Sequence, residues 1–302
     1  MTVRFGVVLP TLEIAGRGSY PVADAAVLAE ELGFDSVWAV DHLAFHTGLV
    51  EPVTALAVAA AVTRRVRLGF GVLLAAMRQP AWVAKQIASL QVLSGHRVLL
   101  GVGVGGENPA EWAAAGIPRD ERGRRTDVLL DALPTMLSGR AVRLPSPYDL
   151  DVPDLAPAAL MPPVWIGGRS EAALTRAARR GDGWLGLWLD AGQLARRAEL
   201  LGVLARHAGR PAPSVGMTVF VNVDDRDPAR ARREAAAFLG SVYALTPARF
   251  ERYLVAGGSA EVTEQLAAMV AAGAEQLTLL PAAVDYRTQY ERLALMTASL
   301  AT

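Results

Sequence analysis

Short, nearly continuous apolar segments alternate with segments of helical periodicity along the whole chain. The apolar segments do not alternate residue by residue with polar positions, which is typical of parallel strands covered on both faces. We interpret eight of them as strands: Val3–Leu9, Asp35–Val40, Val66–Leu74, Arg97–Gly103, Pro163–Gly167, Gly183–Leu187, Val215–Val223 and Gln276–Leu280. The intervening segments predict helices, among them Val22–Leu32, Val53–Thr63, Trp82–Leu93, Thr126–Leu137, Glu171–Arg180, Ala191–His207 and Val262–Ala271.

Eight strand–helix units in 302 residues predict an α/β fold, a (β/α)8 TIM barrel, as a single domain over residues 1–302. An open doubly wound sheet is the competing architecture. It normally places a glycine-rich turn after the first strand, whereas here that strand ends in Pro10-Thr11. The barrel is therefore the favoured fold.

Two insertions are expected in this barrel. The first, Arg140–Pro162, follows the fourth helix, is rich in proline and has little periodicity. The second, Asp224–Gly258, lies between the last two strands and has helical patterns over Pro228–Leu239 and Pro247–Val255. We expect the second insertion to cover the mouth of the barrel.

The charge and composition of the chain exclude several classes of function. Thirty basic and 30 acidic side chains give a net charge of zero, which argues against a dominant attraction to nucleic acid or to an anionic membrane. The absence of cysteine excludes disulfides, thiolate catalysis and cysteine-ligated metals. The amino terminus has no signal-type pattern, and apolar runs such as Leu56–Val62 are too short to span a bilayer. We expect a cytoplasmic protein.

Glycines recur in the stretch from Val66 to Gly106, which reads as strand, helix, strand. They stand at 69 and 71 in the first apolar run and at 101, 103, 105 and 106 in the second. Glycine weakens a strand, so its repetition there indicates close approach of a flat ligand or of a neighbouring backbone.

Candidate chemistry lies at the carboxyl ends of the strands, where the active site of such a barrel is found. Asp41 and His42 directly follow the second strand, and an imidazole there can donate or accept a proton near neutral pH. The alternative is a histidine that only caps the rim. His46 lies near the same mouth and is a candidate for contact with substrate, and no pair of histidines has metal-ligand spacing.

The turn Gly167-Gly168-Arg169-Ser170 opens a helix and has the form of an anion site. Glycines let the backbone approach a ligand, the free amides of a first helical turn point at it, and Arg169 adds a charge that pairs with phosphate. An ordinary β–α turn with a serine N-cap explains the same residues equally well. Trp165 and Trp184 are interpreted as core, and Trp188 as part of the mouth.

Four segments together resemble the luciferase-like monooxygenase superfamily, the flavin- and deazaflavin-dependent (β/α)8 oxidoreductases. They are AEELGFDSVWAVDHL (29–43), VRLGFGVLLAAMRQPAWVAKQIASLQVLSGHRVLLGVGVGG (66–106), PPVWIGGRSEAALTRAARRGDGWLG (162–186) and GSAEVTEQLAAMVAAGAEQLTLLP (258–281). The resemblance covers most of the chain and implies that a flavin or deazaflavin ring lies at the barrel mouth.

The resemblance also implies roles for individual residues. His42 aligns with the active-site histidine, and Asp41 is expected to contact the ring or its ribityl chain. A non-proline cis peptide behind the ring is expected at Gly71-Val72. The remaining implied contacts are Leu74 and Ala75 on one side of the ring, Val104 and Gly105 on the other, and Gly168, Arg169, Ser170 and Ala173 at the cofactor phosphate.

Two departures bear on the substrate. Relatives that oxidise sugar phosphates with the deazaflavin coenzyme F-420 have a glutamate directly after the glycine that matches Gly105, whereas here Gly106 intervenes before Glu107. They also have an aromatic residue in place of His46. Sugar-phosphate specificity is therefore not supported, and His46, Glu107 and Trp188 are kept as candidates for contact with a small organic substrate.

The resulting hypothesis is an oxidoreductase that transfers a hydride between F-420 and a small molecule, with His42 as proton donor or acceptor. One alternative is an FMN-dependent two-component monooxygenase that receives FMNH2 from a flavin reductase. A second alternative is a non-catalytic flavin-binding protein. A homodimer is expected from the resemblance and from the general preference for two-fold symmetry.

Overall fold

The structure, a computed structural model, describes residues 3–14, 19–106 and 108–300. The strands in this part of the chain are β1 (Arg4–Val8), β2 (Ser36–Ala39), β3 (Arg67–Phe70), β4 (Val98–Val102), β5 (Val142–Leu144), β6 (Leu150–Val152), β7 (Val164–Gly167), β8 (Gly183–Gly186), β9 (Ser214–Val223), β10 (Leu254–Gly257) and β11 (Gln276–Pro281). The helices are α1 (Val22–Glu31), α2 (Pro52–Val62), α3 (Pro80–Ser94), α4 (Pro109–Ala114), α5 (Arg122–Leu137), α6 (Glu171–Arg180), α7 (Ala191–His207), α8 (Pro228–Tyr243), α9 (Ser259–Ala271) and α10 (Tyr286–Leu300). None of these helices is long and apolar enough to cross a membrane.

Eight parallel strands close into a barrel in the order β1-β2-β3-β4-β7-β8-β9-β11, and β11 pairs with β1. The (β/α)8 barrel predicted from the alternating segments is confirmed. Its strands are buried on both faces, as their uninterrupted apolar sequences require: every residue of β2, β4, β7 and β8 is buried.

Two tryptophans fill the amino-terminal part of the barrel interior. Trp38 and Trp165 meet edge to face, with ring centroids 6.5 Å apart. A Cβ atom at Gly69 would lie 2.3 Å from the Trp38 ring, and one at Gly183 would lie 2.4 Å from the Trp165 ring. These glycines therefore provide the space that the indoles occupy, and the interpretation of Trp165 as core is confirmed.

Nearer the carboxyl end, glycines make room for Val72. The peptide Gly71-Val72 is cis, as the resemblance implied. A Cβ at Gly103 or at Gly167 would lie 2.4 Å or 2.7 Å from the Val72 side chain. Of the two explanations considered for the strand glycines, close approach within the protein accounts for these positions, although the approaching group is a side chain rather than backbone.

The first insertion forms an antiparallel hairpin of β5 and β6. In the second, helix α8 confirms the pattern over Pro228–Leu239. The helical interpretation of Pro247–Val255 is wrong: the chain there makes two 3-10 turns and then β10, which pairs in parallel with β9. The reason is tertiary, because β9 extends beyond its last pairing with β8 at Met217 and leaves an edge that Leu254–Gly257 completes.

Candidate functional site

A cavity of about 210 Å³ opens at the carboxyl ends of the barrel strands. Eight of the residues predicted to touch cofactor or to act on substrate line it: Asp41, His42, Gly71, Val72, Leu74, Val104, Gly105 and Gly168. The rest of its wall is largely apolar and comes from later strands and from α8, including Leu185, Leu187, Phe220, Tyr243 and Leu280.

A second cavity of about 370 Å³ adjoins the first, and the two share Gly168, Leu187 and Tyr243 in their walls. His46 and Trp188, both candidates for substrate contact, line it together with Arg169. The second volume alone, and the two volumes together, are within the range of about 300–1,000 Å³ that is typical of small-molecule sites. The mouth of the barrel thus has an inner and an outer chamber, which we name the inner cavity and the outer cavity.

His42 is held at the edge of the inner cavity by a glutamate that sequence reasoning missed. Its Nδ1 lies 3.2 Å from Oε2 and 3.4 Å from Oε1 of Glu111, and its ring stacks on Phe45 with centroids 3.8 Å apart. The backbone amide of Leu43 also donates to Glu111. A carboxylate at Nδ1 orients the imidazole at the edge of the inner cavity.

Glu111 is fully buried, and burial raises the pKa of its carboxyl group, although amides of Leu43 and Ala44 act in the opposite direction. It occupies the first turn of α4. The signal that would have found this helix is Asn108-Pro109, because asparagine caps helices and proline favours their first position. Asn108 indeed accepts a hydrogen bond from the Ala110 amide.

Asp41 fixes the backbone behind the inner cavity. Its carboxylate accepts a hydrogen bond from the Leu74 amide at 2.8 Å and one from Arg78 at 2.9 Å. Burial raises the pKa of Asp41, and the charge of Arg78 partly offsets that effect. Asp41 therefore holds the segment that follows the cis peptide, while also lining the cavity.

The turn before α6 has the features of an anion site and of a helix cap at once. Gly168 has φ +122°, a conformation that favours glycine, and its carbonyl accepts a hydrogen bond from Trp184 Nε1 at 2.6 Å. The Ser170 hydroxyl accepts from the Ala173 amide at 3.2 Å, so that amide is already engaged. The amides of the first two helical residues, 171 and 172, have no intrahelical acceptor and are available to an anion.

Not every predicted contact reaches a cavity. Ala75 is buried in the 3-10 turn Ala75–Met77 and lines neither cavity, and the same is true of the buried Ala173 and of Ser170. Glu107 lies outside the described residues. Within the described part of the chain, no group of three or more His, Asp or Glu side chains is arranged to hold a metal ion.

An aromatic cluster lies opposite His42. Trp188 packs on Phe220 with centroids 4.6 Å apart and meets the ring of Tyr243 edge to face at 5.1 Å. Tyr243 in turn meets Phe45 at 5.5 Å, which connects this cluster to the histidine. Sequence reasoning identified Trp188 but not Tyr243, which belongs to the insertion.

The residues present fit a flat, mostly apolar ring that carries a phosphate. The inner cavity has largely apolar walls, and Gly105 and Gly168 line it at positive φ, where a Cβ would be unfavourable. Gly168 of this wall directly precedes Arg169, which lines the outer cavity, and the first-turn amides of α6 follow. The donor set therefore agrees with a flavin or deazaflavin cofactor.

Comparison with known proteins gives the same family. The family model for luciferase-like monooxygenases matches residues 3–249. An F420-dependent hydroxymycolic acid dehydrogenase of Mycobacterium tuberculosis is 31% identical over 244 residues, which are 75% of this chain and 66% of that protein. An uncharacterised protein of the same organism is 36% identical over 166 residues, or 54% of this chain, and the match spans 57% of the relative's length.

Solved structures of low sequence identity share the fold. An F420-dependent secondary alcohol dehydrogenase, in complex with an F420–acetone adduct, superposes with a TM-score of 0.86 at 18% identity and covers 99% of both chains. The oxygenating constituent of 3,6-diketocamphane monooxygenase from Pseudomonas putida, in complex with FMN, gives 0.82 at 18% identity, covering 99% of this chain and 98% of that one. By the family match and the barrel together, this chain belongs to the luciferase-like monooxygenase family of oxidoreductases.

Proposed function

We propose that this protein is an oxidoreductase that transfers a hydride between the deazaflavin coenzyme F-420 and a small organic substrate. The observation that carries the proposal is the pair of His42 and the buried Glu111 at the edge of a cavity fitted to a flat ring. The similarity to an F420-dependent dehydrogenase over three quarters of the chain supports F-420 as the cofactor.

Each residue of the site then has a defined task. When bound, the cofactor supplies a ring that gives or accepts a hydride. Val72 and Leu74 form the apolar wall against which a ring packs, and Arg169 with the first-turn amides of α6 binds the phosphate. Glu111 orients the imidazole of His42, which donates or accepts the proton that accompanies the hydride.

An FMN-dependent monooxygenase that obtains FMNH2 from a flavin reductase is the second candidate. The similarity in fold to an FMN-bound oxygenating constituent favours it, as does the apolar lining that would keep water from a reactive cofactor. The same amides and the same walls would serve both cofactors. A flavin-binding protein without activity is the third candidate, and the retention of a glutamate-oriented histidine argues against it.

The decisive experiment is a titration of the purified protein with F-420 and with FMN, each oxidised and reduced, followed by the intrinsic fluorescence of its tryptophans. We expect tighter binding of F-420, because the proposal assigns that cofactor to the inner cavity. A clear preference for FMN would replace the first candidate with the second, and binding of neither would refute both. Tight binding without turnover of any donor would favour the third.

A further inference from the structure

The outer cavity has the walls of a site for an aromatic compound. Four aromatic side chains line it: Phe45, Trp188, Tyr243 and Tyr253. Their rings meet one another at edge-to-face angles, with Trp188 at 5.1 Å from Tyr243 and 6.1 Å from Tyr253. Aromatic rings in such arrangements offer flat apolar surface to another ring and lose little conformational entropy when they bind it.

The backbone conformation of Trp188 supports the interpretation of this wall as part of a ligand site. Its φ is +57°, a left-handed conformation that is unfavourable for a bulky residue. Packing against Phe220, with centroids 4.6 Å apart, holds the indole in place. Backbone strain of this kind is concentrated at ligand sites, where the surrounding structure maintains it.

The charge of the outer cavity is positive. Arg169 and Arg249 line it together with His46, and none of the described lining residues is acidic. The three arginines of α8 are paired: Arg230 with Asp224, Arg232 with Glu261 and Arg233 with Asp227. Arg249, by contrast, has no carboxylate partner among the residues that the structure describes.

The two unpaired cations have different neighbours. Arg169 directly follows Gly168, in the turn that presents free amides, and the proposed function assigns it to the cofactor phosphate. Arg249 comes from the 3-10 turn Pro247–Arg249 of the insertion, beside Tyr253 and Leu245 in the cavity wall. Because Arg169 is assigned to the cofactor, Arg249 is the arginine of this wall that can bind a second anion.

The outer cavity also adjoins His42, the proposed proton donor or acceptor, through Phe45. Phe45, which is in its wall, stacks on the imidazole of His42 at 3.8 Å between centroids. A ligand in the outer cavity that contacts Phe45 and Tyr243 lies next to the inner cavity, since Tyr243 belongs to both walls.

We propose that the outer cavity is the substrate site and that it selects an aromatic compound with an oxyanion group such as a carboxylate. The aromatic body packs on Trp188, Tyr243 and Tyr253, and the oxyanion pairs with Arg249, whose planar guanidinium binds a carboxylate through two parallel hydrogen bonds. This inference rests on the proposed function, because it takes the inner cavity as the place of the cofactor ring.

Calorimetric titration with two probes of similar shape tests the proposal: naphthoate, which is anionic, and naphthalenemethanol, which is neutral. The protein is first loaded with the cofactor that it binds. We compare the unsubstituted chain, Arg249→Gln and the control Arg196→Gln, an exposed arginine of α7 outside both cavities. We expect the unsubstituted chain to bind naphthoate about tenfold more tightly than naphthalenemethanol, a difference of about 1.4 kcal/mol.

Arg249→Gln is expected to abolish that preference and to change the affinity for the neutral probe less than about twofold, whereas Arg196→Gln changes neither. Tyr253→Leu is expected to weaken both probes alike. Equal binding of the two probes to the unsubstituted chain would overturn the proposal. So would a loss of cofactor affinity in Arg249→Gln with unchanged naphthoate binding, which would assign Arg249 to an anionic part of the cofactor. If no cofactor binds, the proposed function fails, and the same probes on the unloaded protein still decide whether the site is anion-selective.

Discussion

At the amino-terminal end of the barrel, two tryptophans occupy the space that strand glycines leave, whereas at the carboxyl-terminal end a single valine does so and a cavity remains. The local contacts are closely similar: a Cβ at Gly183 would lie 2.4 Å from Trp165, and one at Gly103 would lie 2.4 Å from Val72. The surroundings of these two side chains differ. Trp165 is enclosed by packed core, whereas Val72 borders the inner cavity.

A glycine in a barrel strand therefore indicates close approach of another part of the protein, a side chain at Gly183 and Gly103 and the Phe70 carbonyl at Gly101, and does not by itself locate a ligand. The cavity at the carboxyl-terminal end is distinguished by polar side chains: Asp41 and His42 line it, and Glu111 contacts His42. The amino-terminal end should thus govern stability, and the carboxyl-terminal end should govern binding and chemistry.

The largest effect on activity relative to stability is expected from His42→Ala, at the carboxyl-terminal end. Turnover should fall roughly 100- to 10,000-fold, because a positioned proton donor or acceptor is lost. Cofactor affinity should change little, and the free energy of unfolding should fall by only about 1–3 kcal/mol, because the buried Glu111 loses the imidazole as a partner. Steady-state kinetics, cofactor titration and urea unfolding measure the three quantities. His207→Ala, at the end of α7, is the control, and unchanged turnover in His42→Ala would refute the assigned role.

The opposite result is expected at the amino-terminal end. Trp165→Ala should lower the free energy of unfolding by about 3–5 kcal/mol, because it leaves a void in the barrel interior. Cofactor affinity per folded molecule should be nearly retained, since Trp165 lines neither cavity. Urea denaturation gives the first quantity and a titration in the absence of denaturant gives the second. The proposed division between the two ends would be contradicted if the loss in free energy of cofactor binding exceeded the loss in free energy of unfolding.

Glu111→Gln tests the contribution of the polar residues at the carboxyl-terminal end of the barrel. Turnover should fall roughly 10- to 100-fold, which corresponds to the loss of one charge-assisted hydrogen bond. Cofactor affinity should be retained, because Glu111 contacts His42 and does not line the inner cavity. Steady-state kinetics and a cofactor titration measure the two quantities. The control is Glu264→Gln on the exposed side of α9, for which turnover should equal that of the unsubstituted chain.

The same substitution has a consequence for stability. Because burial raises the pKa of Glu111, the folded protein binds that proton more tightly than the unfolded chain does. The free energy of unfolding should therefore fall as pH rises from the usual glutamate value of about 4.3 to the higher folded value, and Glu111→Gln should flatten this dependence. Urea unfolding at a series of pH values measures the slope. An unchanged slope would show that Glu111 is not the group responsible.

The smallest effects are expected from a matched pair of glycine substitutions. Gly183→Ala should cost about 1–3 kcal/mol of stability, because Trp165 has nowhere to move. Gly103→Ala should cost less, since Val72 can turn into the cavity, and it should instead weaken cofactor binding. Gly202→Ala in α7 is the control, with an expected gain of roughly 0.5–1 kcal/mol, because a Cβ there would make only an ordinary contact with Arg206 Nη1 at 3.6 Å. Equal destabilisation by the first two variants would contradict the contrast between the ends.

Much of the fold and part of the site are readable from residues that are neighbours in sequence. The strand ends locate Asp41, His42 and the turn at Gly168, since each follows directly from an apolar run. Glu111 escaped notice because its helix is only six residues long and because its partner, His42, is 69 residues away. The position of Arg249 was obscured by the wrong assignment of helix to a segment that completes the edge of β9.

The sequence by itself determined the barrel, because nearly continuous apolar strands separated by amphipathic helices can bury their surfaces in few other ways. It also determined the candidate histidine and, through resemblance, the place of the cis peptide. Only the tertiary structure decided which glycines serve side chains, which carboxylate orients His42, and which insertion residues form the outer cavity. Those outcomes depend on contacts between segments distant in the chain, and no local pattern records them.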